Sequence, residues 1–403
     1  MSNAMYTRTP SPFPPSDTAD RALVLATVPS LDPPHFLANV ISTAASSTRN
    51  HLTIVLFSRL FNSPTATTLR GISRTEYFDD VLRLLTYVYV QATSVAQSLD
   101  KVLMNVDVLL LGIDSDVPSN IGTGVDIVYR VSGDSIAVPL PESISSLHQC
   151  FLPSSGDNDT NHLPPLSPTI SLDASGPPPY LPVVALGGTF DHLHAGHKIL
   201  LSMGAWIAGE KIIVGVTDHD LLKNKTHPSL VQPLADRIAT VRTFLSLFRP
   251  GITYDIVPIQ DVYGPTGWDP NIQGLVVSRE TVSGADAVAA HRLAHDLPAL
   301  QTFIIDVISA NHTRLDHDDM EMLKHTKMSS TFIRDWIYER QKERVASARD
   351  AKGFLDPSRA KGLLDPGHAK GLLDPSHAKG FLDPSHAERV VKGKEEERHN
   401  EKA

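Results

Sequence analysis

Two histidines three residues apart close the run Gly187-Gly188-Thr189-Phe190-Asp191-His192-Leu193-His194-Ala195-Gly196-His197. A short apolar stretch precedes this run, and Ile199, Met203, Trp206 and Ile207 follow it at helical spacing. The run is therefore a turn between a strand and a helix that starts near His194. Glycines in such a turn let the backbone approach a phosphate, and the helix start offers free N–H groups at its positive end. His194 and His197 share one face of the first helical turn, so both can aim imidazole N–H donors at a polyphosphate. Gly196 leaves room between them for a nucleotide. A lone His-x-Gly-His also fits a glycine turn with two surface histidines. The Gly-Gly-Thr-Phe-Asp directly before it argues for phosphate chemistry.

A second polar turn stands far along the chain, at Lys327-Met328-Ser329-Ser330-Thr331-Phe332-Ile333-Arg334. Ser329 or Ser330 suits a helix N-cap. Its hydroxyls and backbone N–H groups could grip phosphate oxygens, with Arg334 adding charge one helical turn on. Alone, Ser-Ser-Thr is simply a cap. Together the two runs resemble the nucleotidyltransferase superfamily that shares its fold with class I aminoacyl-tRNA synthetases.

Finer markers are Val214-Gly215-Val216-Thr217-Asp218, Asp220-Leu221-Leu222-Lys223-Asn224-Lys225, Gln232-Pro233 and Arg237. They continue with Asp261-Val262-Tyr263-Gly264-Pro265, Asp269-Pro270 and Leu275-Val276-Val277-Ser278. Over about Val183–Trp336 these resemble the phosphopantetheine adenylyltransferase domain of eukaryotic coenzyme A synthase and its monofunctional fungal counterparts. The resemblance implies transfer of AMP from ATP to 4′-phosphopantetheine, giving dephospho-coenzyme A and pyrophosphate. It implies catalytic roles for His194, His197, Lys223 and Lys225. It implies ATP or substrate contacts from Gly187, Gly188, Thr189, Phe190, Gly196, Ser278, Ser329, Ser330, Thr331 and Arg334. Mg2+ is expected to arrive with ATP, without a dedicated protein metal site. ATP and 4′-phosphopantetheine are the expected partners, with other coenzyme A pathway enzymes as further candidates. Cytidylyltransferases of phospholipid precursor synthesis share the first run, and a non-catalytic nucleotide-binding scaffold is the other alternative. Arg279 stands where the resemblance leads one to expect an acidic residue, and it is expected to face solvent. No Gly-x-x-x-x-Gly-Lys-Ser/Thr loop occurs, so the kinase domain of the bifunctional animal enzyme is expected to be missing.

The elements that must position these residues alternate strand and helix. Candidate strands are Pro182–Leu186, Lys211–Thr217, Ile252–Val257, Leu275–Ser278 and Thr302–Ile308. Helices are expected after His194, over Pro233–Phe248 and from about Ser329. Such alternation implies right-handed crossovers and a parallel sheet with its ligand site at the strands' carboxyl ends. Earlier in the chain, candidate strands Ala22–Val28, Leu52–Phe57, Val106–Gly112 and Ile127–Val131 alternate with helical stretches Phe36–Ala45 and Glu76–Val95, suggesting a second α/β domain. Its scattered carboxylates Asp114, Asp116 and Asp126 read as solvated. The expected organisation is a disordered start over 1–20, an N-terminal α/β domain of open role over 21–150 and a linker over 151–181. A Rossmann-like, HUP-type parallel-sheet domain follows over 182–348, then a disordered tail over 349–403. That tail repeats Ala-Lys-Gly-x-Leu-Asp-Pro-x-x four times from Ala351 to His386. Each copy has only two adjacent apolar residues, too few to stack into a solenoid.

With 403 residues and a formal net charge of −9, the chain is too acidic for non-specific nucleic-acid binding. A single cysteine, Cys150, excludes an intrachain disulfide framework and a multi-cysteine zinc site. No apolar run approaches the roughly 20 residues that cross a bilayer, and Met1–Asp20 lacks a secretory apolar core. Cytosol is the expected location.

Overall fold

The structure, a computed structural model, describes residues 19–62, 72–155, 178–223, 225–306 and 329–354. Runs such as Leu23–Ala26 and Ile54–Phe57 are apolar at every position and buried throughout, as strands covered on both faces must be. The first sheet holds β1 (Ala19–Thr27), β2 (Thr48–Ser58), β3 (Asn105–Gly112), β4 (Ile127–Val131) and β5 (Gln149–Leu152), in the order β3-β2-β1-β4-β5. The second holds β6 (Leu181–Gly188), β7 (Ala208–Thr217), β8 (Thr253–Ile259), β9 (Gly274–Ser278) and β10 (Gln301–Ile305), in the order β10-β9-β6-β7-β8. All of these pairings are parallel.

Counted from its own first strand, each sheet reads third, second, first, fourth, fifth. Each also joins its third strand to its fourth through a single 3-10 turn, at Ser119–Gly122 and Gly264–Gly267. The two halves thus share one topology, with a reversal of strand order beside the first strand. Ligands of open parallel sheets bind at that reversal.

The helices are α1 (Ala38–Ser47), α2 (Phe78–Ser98), α3 (Glu142–Ser145), α4 (Ala195–Ile207), α5 (Leu234–Phe248), α6 (Val282–Ala294) and α7 (Ser330–Phe354). The expected strands and helices are found with shifted ends. α3, β5 and α6 are additional: α3 and β5 are short, and α6 is rich in alanine with few large apolar residues to mark its buried side. The strand expected over Thr302–Ile308 ends at Ile305, and residues from 307 lie outside the described part.

Both sheets belong to one compact body, Met1–Lys342. Helix α2 packs against α4, and one apolar cluster runs from Leu23 and Val55 through to Leu186 and Val214. Phe61 meets the edge of Trp206 at 5.9 Å, and Phe78 meets Phe303 at 4.9 Å. Of the stretch expected as a linker over 151–181, Phe151 and Leu152 instead end β5, Leu181 opens β6, and Pro178 and Pro179 are tied to the first half. The Thr75 hydroxyl donates to the Pro178 carbonyl, and the Arg74 N–H donates to that of Pro179 at 2.8 Å. Residues 156–177 lie outside the described part. Asp126 is not merely solvated, because its Oδ2 accepts the backbone N–H groups of Asp20 and Arg21 at 2.8 and 2.9 Å.

The second unit, Glu343–Ala403, is described only through the last turns of α7, which run into the first nonapeptide copy. The remaining copies lie outside the described residues.

Candidate active site

At the carboxyl end of β6 the chain turns sharply into α4. Phe190 and His192 both take left-handed backbone conformations, with φ of 51° and 44°. Non-glycine residues reach that region at a cost of order 1–3 kcal/mol each, and such strain collects at functional turns. Phe190 is fully buried, and a Cβ on Gly188 would lie 3.1 Å from its ring. Gly188 is therefore small because Phe190 fills the underside of the turn. His194 occupies the N-cap of α4, but its side chain makes no capping bond, which leaves the first-turn amides without a side-chain acceptor. Its ring stacks on His197 at 3.9 Å, and His197 packs against Phe190 at 5.3 Å.

Each imidazole has a buried Nδ1 with no hydrogen-bond partner among the described residues. Buried polar atoms are nearly always paired, so two orphans side by side single this turn out as a candidate ligand site. Burial, then the neighbouring His197 and Lys198 charges, holds His194 well below the usual imidazole range. Burial also pulls His197 down to about 4, with Asp191 opposing and Lys225 adding to the effect. Both rings are neutral near pH 7, each with one N–H to give.

Asp191 ties the two polar turns together. It is fully buried. Its Oδ1 accepts the Gln232 N–H at 2.8 Å, and its Oδ2 accepts the Arg334 guanidinium. Its backbone carbonyl accepts the Ser330 hydroxyl at 2.7 Å. Gln232 returns its side-chain oxygen to the His192 N–H at 2.7 Å. Arg237, also buried, donates to the carbonyls of Thr189, Thr217 and Gln232 at 2.7, 2.9 and 3.0 Å. The strand ends and both turns are thereby locked into one frame.

Arg334 does not stand as free charge for a phosphate. Its guanidinium is engaged by Asp191, by the Thr226 carbonyl at 2.9 Å and by the Thr331 hydroxyl at 3.3 Å. Ser329 caps α7, accepting the Phe332 N–H at 3.2 Å. Lys225 lies close enough for its charge to act on His197, and Lys223 is exposed just after the 3-10 turn His219–Leu222. Gly187 and Gly188 end β6, and Gly196 lies in the first turn of α4. Ser278 ends β9, the parallel neighbour of β6, with its hydroxyl 3.1 Å from that of Thr281. Arg279 is exposed, as expected, yet pairs with Asp306. Asn224, Lys327 and Met328 lie outside the described residues.

The cytidylyltransferase-like family model matches residues 185–335, the span that holds both turns. The chain is 42% identical over 152 residues to the phosphopantetheine adenylyltransferase of Saccharomyces cerevisiae, covering 38% of this chain and 47% of that protein. An uncharacterised protein of Schizosaccharomyces pombe is 40% identical over 153 residues, covering 38% of this chain and 47% of its own length. Against these two the match spans about half of their length. The phosphopantetheine adenylyltransferase of Pyrobaculum aerophilum is 34% identical over 151 residues, covering 38% of this chain and 88% of its own length. The chain belongs to the phosphopantetheine adenylyltransferase family.

In this family member the sequence reading missed mainly the buried charges. The sequence gives Arg237 no role, nothing local marks Lys198 or Asp107, and little marks Arg292. Arg292 is buried in α6 and donates to the carbonyls of Thr266, Asp269 and Pro298 at 2.7, 3.0 and 2.7 Å. It pins the loop that contains Tyr263-Gly264-Pro265. The available signal was an arginine on an otherwise alanine-rich helix.

Proposed function

We propose that this chain transfers the adenylyl group of ATP to 4′-phosphopantetheine, giving dephospho-coenzyme A and pyrophosphate. The observation that supports this reading most is the joining of two turns, His194–His197 and Ser329–Thr331, through Asp191 at one sheet edge. A phosphate oxygen of 4′-phosphopantetheine attacks the α-phosphorus of ATP as the bond to the β-phosphate oxygen breaks. Pyrophosphate leaves with the bonding electrons. The nucleophile is ionised near pH 7, so no general base is needed. Catalysis reduces to alignment and to neutralising charge that builds on bridging oxygens.

Neutral His194 and His197 give N–H donors to the α-phosphate region beside Thr189 and the glycine turn. Lys225, or Lys223 beside it, screens the incoming phosphate. The first amides of α7, with Ser329 and Thr331, hold the departing pyrophosphate. Ser330 and Arg334 act from behind, fixing that turn against Asp191. Mg2+ arriving with ATP would supply further charge neutralisation, without a dedicated protein site. The buried carboxylate nearest the turn, Asp191, is already committed to Arg334 and Gln232. The proposal gives this chain no dephospho-coenzyme A kinase step, since its sequence holds no phosphate loop of that type.

Among the described residues no helix is long and apolar enough to cross a membrane, and the cytosol is the proposed compartment. A cytidylyltransferase remains the second reading because the matching family model carries that name. The test is pyrophosphate release with ATP plus 4′-phosphopantetheine against CTP plus phosphocholine, phosphoethanolamine or glycerol phosphate. Turnover with CTP alone rejects the proposal.

A further inference from the structure

The first sheet's half of the molecule meets the proposed site along the end of α2 and the short segment after it. Lys198 directly follows His197 on α4, and its side chain is 3% exposed. Its ammonium leaves its own half. It donates to the Val106 carbonyl at 2.7 Å, to Asp107 Oδ1 at 2.6 Å and to the Asn105 side chain. Asp107 is in turn held by His51 at 2.7 Å and Asn105 at 3.3 Å. Burial would raise the Asp107 carboxyl, but Lys198 and then His51 keep it well below the usual carboxylate range.

A few residues earlier, the same segment grips the other motif helix. Asp100 follows the C-cap of α2 in a left-handed conformation, φ 60°. The Asp100 N–H bonds to the Gln97 carbonyl at 3.0 Å and the Lys101 N–H to that of Ala96 at 2.8 Å. This closure of the helix end fixes where the Asp100 side chain points. Its carboxylate accepts the Trp336 indole N–H at 2.9 Å and pairs with Arg340, both on α7. Trp336 lies two positions beyond Arg334.

Between the two grips lies a cavity of about 190 Å³, lined by Lys101, Leu103, Val106, Leu193, His194 and Ile333 among others. Side chains leave that part of the seam unfilled, so there the polar contacts on either side add to the apolar packing elsewhere in setting the spacing. A buried lysine is costly unless paired, and an apolar residue would fill the same place at lower cost.

We infer that the Asp100–Asp107 segment is the positioning element of the site, holding α4 through Lys198 and α7 through Trp336 and Arg340 so that both turns meet one triphosphate. The inference gives the first sheet's half a role in the reaction, and it rests on the adenylyltransferase reading above.

The test uses the full chain. Lys198→Met should lower kcat about 10- to 100-fold, the penalty for roughly 1 Å of misplacement, while KM for 4′-phosphopantetheine changes little. Lys198→Arg should recover part of the loss. Trp336→Phe keeps the ring and deletes the N–H, and should lower kcat by a factor of about 3 to 10. The double variant should lose less than the product of the two, because both relax the same spacing. A Lys198→Met protein that melts cooperatively and keeps wild-type kcat well below its melting temperature overturns the inference, leaving the lysine a stabilising residue only. Failure of the wild-type chain to release pyrophosphate from ATP and 4′-phosphopantetheine would instead reject the reaction. In that event amide hydrogen exchange decides the positioning role. Lys198→Met must speed exchange at both 195–198 and 330–334, and unchanged protection at either stretch overturns it.

Discussion

Asp191 and Arg334 form a buried ion pair across 143 positions of sequence, one member in the turn before α4 and the other in the first turns of α7. Breaking such a pair strands an uncompensated charge, at a typical cost of about 3–5 kcal/mol. Arg334→Met should therefore destabilise the protein by that order, with activity falling because the two turns lose one of the bonds that join them. Denaturant melts check the first part. A loss below about 1 kcal/mol would show the pair to be incidental.

His197 stacks on His194, packs at a tilt against Phe190 and carries a buried Nδ1 with no partner among the described residues. Removing one well-aimed donor to a transition state costs about 100- to 1,000-fold in rate. His197→Ala should show that drop in kcat with an unchanged circular dichroism spectrum. Wild-type turnover in that variant removes the histidine from the reaction.

Both imidazoles titrate below their ordinary value of 6.5, His197 at about 4. The unfolded chain then takes up protons first as pH falls. Stability from keeping these rings neutral is complete above about pH 6.5 and is lost as the pH drops toward about 4. The His197 share is at most roughly 3 kcal/mol. Urea melts at about pH 7 and about pH 5 should differ less for His197→Asn than for the wild type. Equal slopes in the two proteins would contradict the burial of this ring.

Lys225 acts electrostatically on His197, lowering its affinity for a proton. Lys225→Ala should raise the His197 pKa and cost about tenfold or more in kcat/KM. Lys223→Ala, at a residue not among the charges that act on His197, should cost several-fold less. Steady-state kinetics on the two single variants decide it, and equal losses would remove the distinction.

The chemistry-bearing turns were legible because glycine, histidine and serine at those spacings serve local backbone geometry, which neighbouring residues largely determine. The central strands were legible for a similar reason, since runs such as Leu23–Ala26 and Ile212–Val216 are apolar at nearly every position. What escaped was long-range pairing. Nothing near Lys198 announces that its ammonium lands on Asp107, 91 positions away. Arg334 looked like phosphate-binding charge because its partner, Asp191, lies in the other turn. Helix α6 escaped for want of contrast, its buried residues being Ala285, Val288 and Arg292. Residues beyond Phe354, including most of the repeats, fall outside the described structure.

The shared strand order of the two sheets has a consequence for nucleotide stoichiometry. In the second half the first strand runs into Gly187-Gly188-Thr189, whose amides can face an anion. In the first half the equivalent strand runs into Val28-Pro29-Ser30-Leu31-Asp32-Pro33-Pro34. Three of those residues have no N–H to offer. If the second half's turn cradles a triphosphate as proposed, the first half's equivalent turn is poorly suited to do the same, and calorimetric titration with a non-hydrolysable ATP analogue should saturate at one equivalent per chain.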